Sequence, residues 1–186
     1  MPWSGLELVL RALPELRADF PDLRLRAVGD GPPGYREFLA RLARELDLGD
    51  RVEWLGPRPH AELPALMEGA AIGLACSEPV PFRSYACPLK VLEYMAAGLP
   101  VIGTSDTETE ALIERFECGL AVPFEIEAFA AAAGRLLSDP ALHARLRANG
   151  IRRAADLTWE RLIGEELGII ARATPGPAAG PSGARG

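Results

Sequence analysis

The stretch from Pro88 to Thr104, PLKVLEYMAAGLPVIGT, decides the fold because a helical pattern runs directly into a short apolar strand. Pro88 suits the first position of a helix, Gly98 supplies a left-handed stop, and Pro100 prevents the helix from continuing. One face of this helix carries apolar side chains at helical spacing, namely Leu89, Leu92 and Ala96. A helix with such defined ends, followed at once by a buried strand, is typical of a parallel α/β sheet.

The same helix carries the groups expected of half a nucleotide site. Its N-terminus presents unpaired backbone N–H groups and a partial positive charge, which together favour a phosphate. Lys90 lies in the first turn, where its ammonium can neutralise a diphosphate. Glu93 lies about one turn further on, where a carboxylate can accept two hydrogen bonds from the vicinal diol of a ribose. The pattern therefore predicts a nucleotide ligand.

Strands and helices alternate along the rest of the chain, which predicts an α/β fold with a Rossmann-like, doubly wound parallel sheet. The predicted strands cover residues 23–28, 52–55, 71–76, 100–103 and 119–122. The predicted helices cover residues 4–19, 35–47, 61–69, 89–98, 107–116, 125–137, 140–153 and 158–171. Residues 1–172 are expected to form one domain, and residues 173–186, rich in Gly, Pro and Ala, are expected to be disordered.

The run P-x-K-x-x-E-Y-x-A-x-G-x-P over residues 88–100 resembles the C-terminal, donor-binding domain of the group 1 glycosyltransferases, which have the GT-B fold. Three further pieces occur in the family's order: VGDGP at residues 28–32, DRVEWLG at 50–56 and LPAL at 63–66. The resemblance covers roughly residues 3 to 170, and its specificity comes from the pieces taken together.

The resemblance implies transfer of a sugar from a nucleoside diphosphate sugar with retention of anomeric configuration. Backbone dipoles and cations would stabilise the departing diphosphate, with no cofactor and no obligatory metal. It further implies the C-terminal half of the GT-B fold without its first strand, and a chain that is inactive without an acceptor-binding half. The expected partners are a nucleotide sugar and an acceptor-binding domain or subunit, through which peripheral membrane association is possible.

The residues predicted to bind the donor nucleotide are Gly29, Asp30, Gly31, Arg58, Tyr85, Pro88, Leu89, Lys90 and Glu93. Gly29 and Gly31 would let the backbone approach the nucleotide closely. Tyr85 stands eight positions before Glu93, where many relatives carry a first glutamate that faces the transferred sugar. This departure leaves the sugar and the catalytic residues unassigned. Ser4 likewise stands where relatives carry a phosphate-binding lysine.

Two other functions remain open from the residues. The loop GDGPPG at residues 29–34 matches G-x-G-x-x-G, the pattern of an NAD-dependent oxidoreductase. Pro32 and Pro33 argue against it because they predict a turn that delays the helix and keeps the third glycine outside it. The second alternative is a non-catalytic nucleotide-binding or interaction module of the same fold, which Tyr85 and Ser4 favour.

Composition excludes several functional classes of protein. The formal net charge of −6 speaks against a broad nucleic-acid surface, and no apolar run is long enough to span a membrane. No signal peptide is evident, so a cytoplasmic location is expected. The widely spaced Cys76, Cys87 and Cys118 predict no metal site, and Cys76 and Cys118 are expected to be small buried residues.

Overall fold

The computed structural model describes residues 5–80 and 88–173. Its strands are β1 (Leu25–Val28), β2 (Val52–Gly56), β3 (Gly73–Ala75), β4 (Val101–Thr104) and β5 (Gly119–Val122). Its helices are α1 (Leu6–Leu16), α2 (Pro33–Glu45), α3 (Leu63–Met67), α4 (Leu89–Ala96), α5 (Glu108–Phe116), α6 (Ile126–Ser138), α7 (Pro140–Ala154) and α8 (Trp159–Ala173), with 3₁₀ turns at Gly49–Arg51 and His60–Glu62. Every predicted strand and helix is present, β5 with the predicted bounds and the others with one or both ends shifted by about one to three residues.

The strands form two parallel sheets, β1–β2 and β3–β4–β5. Leu25 lies opposite Val52 in the first sheet, and Gly73, Val101 and Gly119 lie side by side in the second. In the usual doubly wound order the first strand lies between the second and the fourth. With β1 and β3 in those two places, the position between them holds no strand from the described residues. The predicted Rossmann-like parallel sheet is thus confirmed, and residues 5–80 and 88–173 supply no strand for its first position.

Helices cover both faces of the second sheet, as a doubly wound fold requires. Val101 and Ile102 of β4 point to opposite faces, and both are completely buried. Val101 packs in a cluster formed largely by α4 and α5, whereas Ile102 packs in the larger cluster formed by α1, α2, α6 and α7. Because both faces are apolar, the strand is a continuous hydrophobic run rather than an alternating one.

Helix α1 joins the two sheets through a single core. Its apolar stripe packs in the same cluster as Leu25 and Val52 of the first sheet and Ile102 of the second. The helix begins after Gly5, whose φ is 70° and whose hypothetical Cβ would lie 2.8 Å from the backbone of Cys76. The start of α1 therefore lies tightly against the end of β3. Cys76 and Cys118 are buried, as predicted.

Helix α4 begins at Leu89, as the predicted range requires, and ends at Ala96, two residues before the predicted end. Pro88 occupies the N-cap rather than the first helical position, and the N–H of Val91 donates to its carbonyl over 2.9 Å. At the other end, Gly98 has a φ of 71°, and its N–H donates to the Met95 carbonyl over 3.0 Å. This left-handed turn closes the helix and leads directly into β4.

The buried face of α4 differs from the predicted one. Leu92 is half-buried against the core, as predicted, but Leu89 is 55% exposed and Ala96 is also exposed, while Val91 and Met95 are fully buried. The reason is that α4 packs against two neighbours at once. Met95 lies beside Gly150 of α7, where a Cβ would come within 3.4 Å of the methionine backbone, and the Tyr94 ring lies against Gly73 of β3.

Candidate functional site

Four chain segments lie at the carboxyl ends of the parallel strands. They are residues 29–32 after β1, 57–62 after β2, 77–80 after β3, and the start of α4. Open α/β sheets bind their ligands at this edge, beside the point where strand order reverses. Most of the residues predicted to bind a nucleotide lie in these segments.

The loop after β1 is folded on itself and open to its surroundings. Gly29 has a φ of 126°, and its N–H donates to the Gly56 carbonyl over 2.9 Å. The N–H of Gly31 donates to Asp30 Oδ1 over 2.8 Å. A Cβ at Gly29 would meet nothing within 4 Å. The backbone at Gly29 therefore has room for a ligand beside it, as the prediction for this loop requires.

The glycine pattern at residues 29–34 does not have the structure of a dinucleotide-binding fingerprint. Contrary to the prediction of a delaying turn, α2 begins at Pro33 because proline is well suited to the first helical position, so Gly34 lies within the helix. A Cβ at Gly34 would nevertheless meet nothing within 4 Å. The third glycine of a dinucleotide fingerprint serves close packing of helix on strand. Gly34 has no such role, which removes support from the oxidoreductase alternative.

The loop after β2 holds Arg58 against its own backbone. Arg58 Nε donates to the Leu55 carbonyl over 3.1 Å, and Arg58 Nη1 lies 3.9 Å from Glu62 Oε2. Both partners belong to the same short segment, and the arginine is exposed. The guanidinium is thus held at the carboxyl edge, where its predicted contact with a phosphate remains a prediction.

The start of α4 brings a cation and a carboxylate to the same edge. Leu89 and Lys90 are exposed in the first turn. Burial raises the pKa of the Cys76 thiol to about 12, while the positive charge of Lys90 acts in the opposite direction. The Lys90 ammonium therefore lies within electrostatic reach of the end of β3.

Glu93 makes a contact that the sequence did not predict. It is 34% exposed, and its Oε1 lies 3.0 Å from Nε2 of His60, which is 82% exposed. His60 begins the 3₁₀ turn after β2, so this hydrogen bond joins the loop of the first sheet to the helix of the second. The sequence signal for this contact was the position of His60, a polar residue shortly after the predicted strand at residues 52–55.

Tyr94 anchors the helix that carries Glu93. Its hydroxyl donates to the Leu74 carbonyl over 3.4 Å, and a Cβ at Gly73 would lie 2.3 Å from its ring. Burial raises the pKa of Tyr94 to about 12, with further contributions from the negative charge of Glu93 and, once the thiol ionises at high pH, from Cys76. The absence of a side chain at Gly73 lets the ring lie directly on β3, which fixes Glu93 at the carboxyl edge.

A buried hydroxyl clamps the segment after β3. Thr104 Oγ1 donates to the Ser77 carbonyl over 2.6 Å and accepts from the Ser77 N–H over 3.1 Å. Thr107 Oγ1 donates in turn to the Thr104 carbonyl over 2.7 Å. These bonds continue the pairing of β3 with β4 beyond the end of β3. The sequence does not reveal this role because a threonine in an apolar strand gives no sign of its partner.

Tyr85 lies outside the described residues, as do Ser4 and Cys87. Of the remaining predicted residues, the structure places Pro88, Leu89, Lys90 and Glu93 on one helix start, with Glu93 connected to the loop after β2. Gly29, Asp30 and Gly31 lie in the loop after β1, which is connected to β2 through Gly56. Within residues 5–80 and 88–173, no group of three His, Cys, Asp or Glu side chains could hold a metal ion. Nor does that part of the chain contain a helix long and apolar enough to cross a membrane.

Comparison with known proteins agrees with this architecture. The family model for glycosyl transferases group 1 matches residues 1–139. A GDP-mannose-dependent alpha-(1-6)-phosphatidylinositol monomannoside mannosyltransferase from Mycolicibacterium smegmatis is 32% identical over 168 residues, covering 86% of this chain and 42% of that protein. The chain thus spans less than half the length of this relative.

Two solved structures locate the matching half. A sucrose-phosphate synthase from Thermosynechococcus elongatus superposes with a TM-score of 0.75 at 30% identity, covering 93% of this chain and 43% of that one. The C-terminal domain of a group 1 family glycosyl transferase from Francisella tularensis superposes with a TM-score of 0.68 at 20% identity, covering 84% of this chain and 80% of that domain. The chain belongs to the group 1 glycosyltransferases and corresponds to the C-terminal half of their GT-B fold.

Proposed function

We propose that this chain is the donor-binding half of a retaining glycosyltransferase and that it binds a nucleoside diphosphate sugar at the carboxyl edge of its two sheets. The observation that carries the proposal is the position of Glu93. Its half-buried carboxylate is fixed at that edge by Tyr94 and lies one turn after the start of α4. A carboxylate in this position is suited to a ribose diol, and the helix start is suited to a diphosphate.

Each part of the donor has a group of the right chemistry. The Glu93 oxygens accept from the two ribose hydroxyls. Backbone N–H groups at the start of α4, together with the Lys90 ammonium, carry the charge of the diphosphate. The open backbone at Gly29 and the exposed Arg58 lie at the same edge, beside the nucleotide. The printed name of the mycobacterial relative, which specifies GDP-mannose, supports a donor of this class.

The proposed chemistry is stabilisation of the leaving group. As the bond to the sugar breaks, negative charge develops on the diphosphate, and preorganised dipoles and cations lower the energy of that state. No step requires a metal ion or another cofactor. Activation of the acceptor belongs to a second half, on this polypeptide or on another. The length of the relatives, more than twice that of the matched region, supports such a division.

Calorimetry with UDP, GDP, ADP and NAD, each with magnesium and with EDTA, tests the proposal. We expect one nucleoside diphosphate to bind selectively, with or without magnesium. Replacing Glu93 by Ala should weaken that binding by about 1–3 kcal/mol, or roughly five- to 150-fold, because two hydroxyls lose a charged acceptor. Glu114→Ala on α5 is the control, since it removes the same charge from an exposed site on another helix. Binding of NAD alone, or unchanged affinity in Glu93→Ala, would contradict the proposal.

A further inference from the structure

The hydrogen bond between His60 and Glu93 joins the loop after β2 to α4 at the candidate site. His60 Nε2 lies 3.0 Å from Glu93 Oε1, although the residues are 33 positions apart. The imidazole is 82% exposed, so it contributes little to packing. An exposed pair of this kind contributes little to overall stability as well. Its consequence is therefore local, in the direction of the Glu93 carboxylate.

The backbone around His60 is itself held in place. The turn His60–Glu62 follows Pro59, which has a φ of −54°, and the N–H of Glu62 donates to the Pro59 carbonyl over 2.9 Å. The N–H of Leu63 donates to the His60 carbonyl as α3 begins. The imidazole thus extends from a short hydrogen-bonded turn rather than from an unstructured loop. Such a support can fix the direction of the carboxylate that it contacts.

We propose that His60 is a positioning residue for Glu93. Its Nε2–H donates to Oε1 and turns the carboxylate so that both oxygens can accept from the two hydroxyls of a ribose. A carboxylate offers about four acceptor positions, and the histidine uses one of them. The inference rests on the proposed nucleotide site, and it adds a source for selectivity between ribose and deoxyribose. The opposite hypothesis is that His60 occupies the place of the ribose and must leave before the nucleotide binds.

The test compares ribose selectivity in four proteins: the wild type, His60→Leu, His60→Gln and His143→Leu. Leucine removes the donor, whereas glutamine supplies an amide N–H in its place. His143 is the chain's other histidine, and its Nε2 contacts the Ala71 carbonyl over 2.8 Å, away from Glu93. Whichever of UDP, GDP and ADP binds the wild type most tightly is then compared with its 2′-deoxy and 3′-deoxy forms by calorimetry.

We expect the wild type to bind the ribonucleotide about ten- to a hundredfold more tightly than either deoxy form, because each deoxy form lacks one hydrogen bond to a charged group. In His60→Leu this ratio should fall to about threefold or less, through weaker binding of the ribonucleotide and nearly unchanged binding of the deoxy forms. His60→Gln should restore most of the ratio, and His143→Leu should keep it. A role of His60 in folding alone would not change the ratio.

Three results would overturn the inference. An unchanged ratio in His60→Leu would show that the carboxylate needs no support. Tighter ribonucleotide binding in that variant would favour the competing hypothesis. An equal loss for ribonucleotide and deoxynucleotides would place the histidine against another part of the ligand. If no nucleoside diphosphate binds the wild type, the proposed function fails first and the inference fails with it.

Discussion

Glycines near the β1–β2 sheet have open space beside them, whereas glycines of the β3–β4–β5 sheet are enclosed. A Cβ at Gly29 or Gly34 would meet nothing within 4 Å. In the second sheet, a Cβ would lie 2.3 Å from the Tyr94 ring at Gly73, 2.2 Å from Thr109 at Gly103, and 2.0 Å from the Val101 carbonyl oxygen at Gly119. The close packing of the second sheet therefore requires glycine at these positions, whereas the first sheet has room for a side chain at Gly29 and Gly34.

The two sheets therefore differ in what they provide at the candidate site. The second sheet holds Glu93 in place, and the first leaves open surface beside it. The closely packed second sheet fixes α4 and hence Glu93, because Tyr94 lies directly on β3. The first sheet ends in loops with exposed neighbours, including Val28 and Trp54, each 39% exposed. Ligand sites are usually largely pre-formed, with a few polar groups held in place beside space for the ligand. The following substitutions test whether the two regions differ in this way.

The largest effect is expected for Gly119→Ala. Because the new Cβ would meet the backbone of β4 rather than a flexible side chain, β5 must move away from its neighbour. We expect destabilisation of more than about 4 kcal/mol, or failure to fold. Urea unfolding followed by circular dichroism measures this. A folded variant with near-normal stability would show that the second sheet is not closed around its glycines.

Thr104→Val tests the hydroxyl that links β3 and β4 beyond the end of β3. Valine keeps the shape but leaves the Ser77 N–H and carbonyl without their Thr104 partner in a buried place. We expect a loss of about 2 to 4 kcal/mol in the free energy of unfolding. Thr104→Ser, which retains the hydroxyl, should lose much less. Equal losses in the two variants would assign the effect to packing instead.

The dependence of stability on high pH tests the burial of Cys76, which lies where α1 meets the second sheet. The thiol ionises above pH 9.0 in the unfolded chain but only near pH 12 in the folded one, so stability falls as pH rises through this range. Between pH 8 and pH 11, Cys76 should account for a loss of about 2 to 3 kcal/mol. Cys76→Ala should lose less stability over the same interval. Identical pH dependence in the wild type and the variant would contradict the effect of burial.

The smallest effect is expected for Gly34→Ala in the open region. Gly34 lies in the first turn of α2 and has room for a methyl group. Alanine restricts the unfolded chain and favours the helix, which should stabilise the protein by about 0.4 to 1 kcal/mol. Stabilisation by Gly34→Ala together with destabilisation by Gly119→Ala would show that the first sheet is open where the second is closely packed. A clear destabilisation at Gly34 would show that this region is packed after all.

Local patterns were enough to predict the elements of the fold. The end of α4 followed from Gly98 because a left-handed stop is a property of a few neighbouring residues. The start of α2 was predicted two residues late, since Pro33 was interpreted as part of a turn, although proline suits the first position of a helix. The prediction of the buried face of α4 was wrong at Leu89 and Ala96 because that face is set by packing against β3 and α7, which sequence spacing does not reveal.

The candidate site was predictable only where its chemistry lay within one element. Lys90 and Glu93 share a helix start, so their spacing indicated a nucleotide. His60 reaches Glu93 across 33 residues, and Thr104 reaches Ser77 across 27. Contacts of this kind are set by the order of strands in the sheets. A single sequence shows the residues but not their juxtaposition.

Loops of the first sheet and the start of α4 are proposed to form one nucleotide site. Titration of the ¹⁵N-labelled chain with UDP, GDP and ADP, followed by amide chemical shifts, shows which residues a bound nucleotide contacts. We expect the nucleotide that binds to perturb residues 29–31 and residues 89–93 together, at the same ligand concentration. Perturbations confined to one of these segments, or centred on the acidic depression lined by Asp106, Glu110 and Glu114, would contradict this proposal.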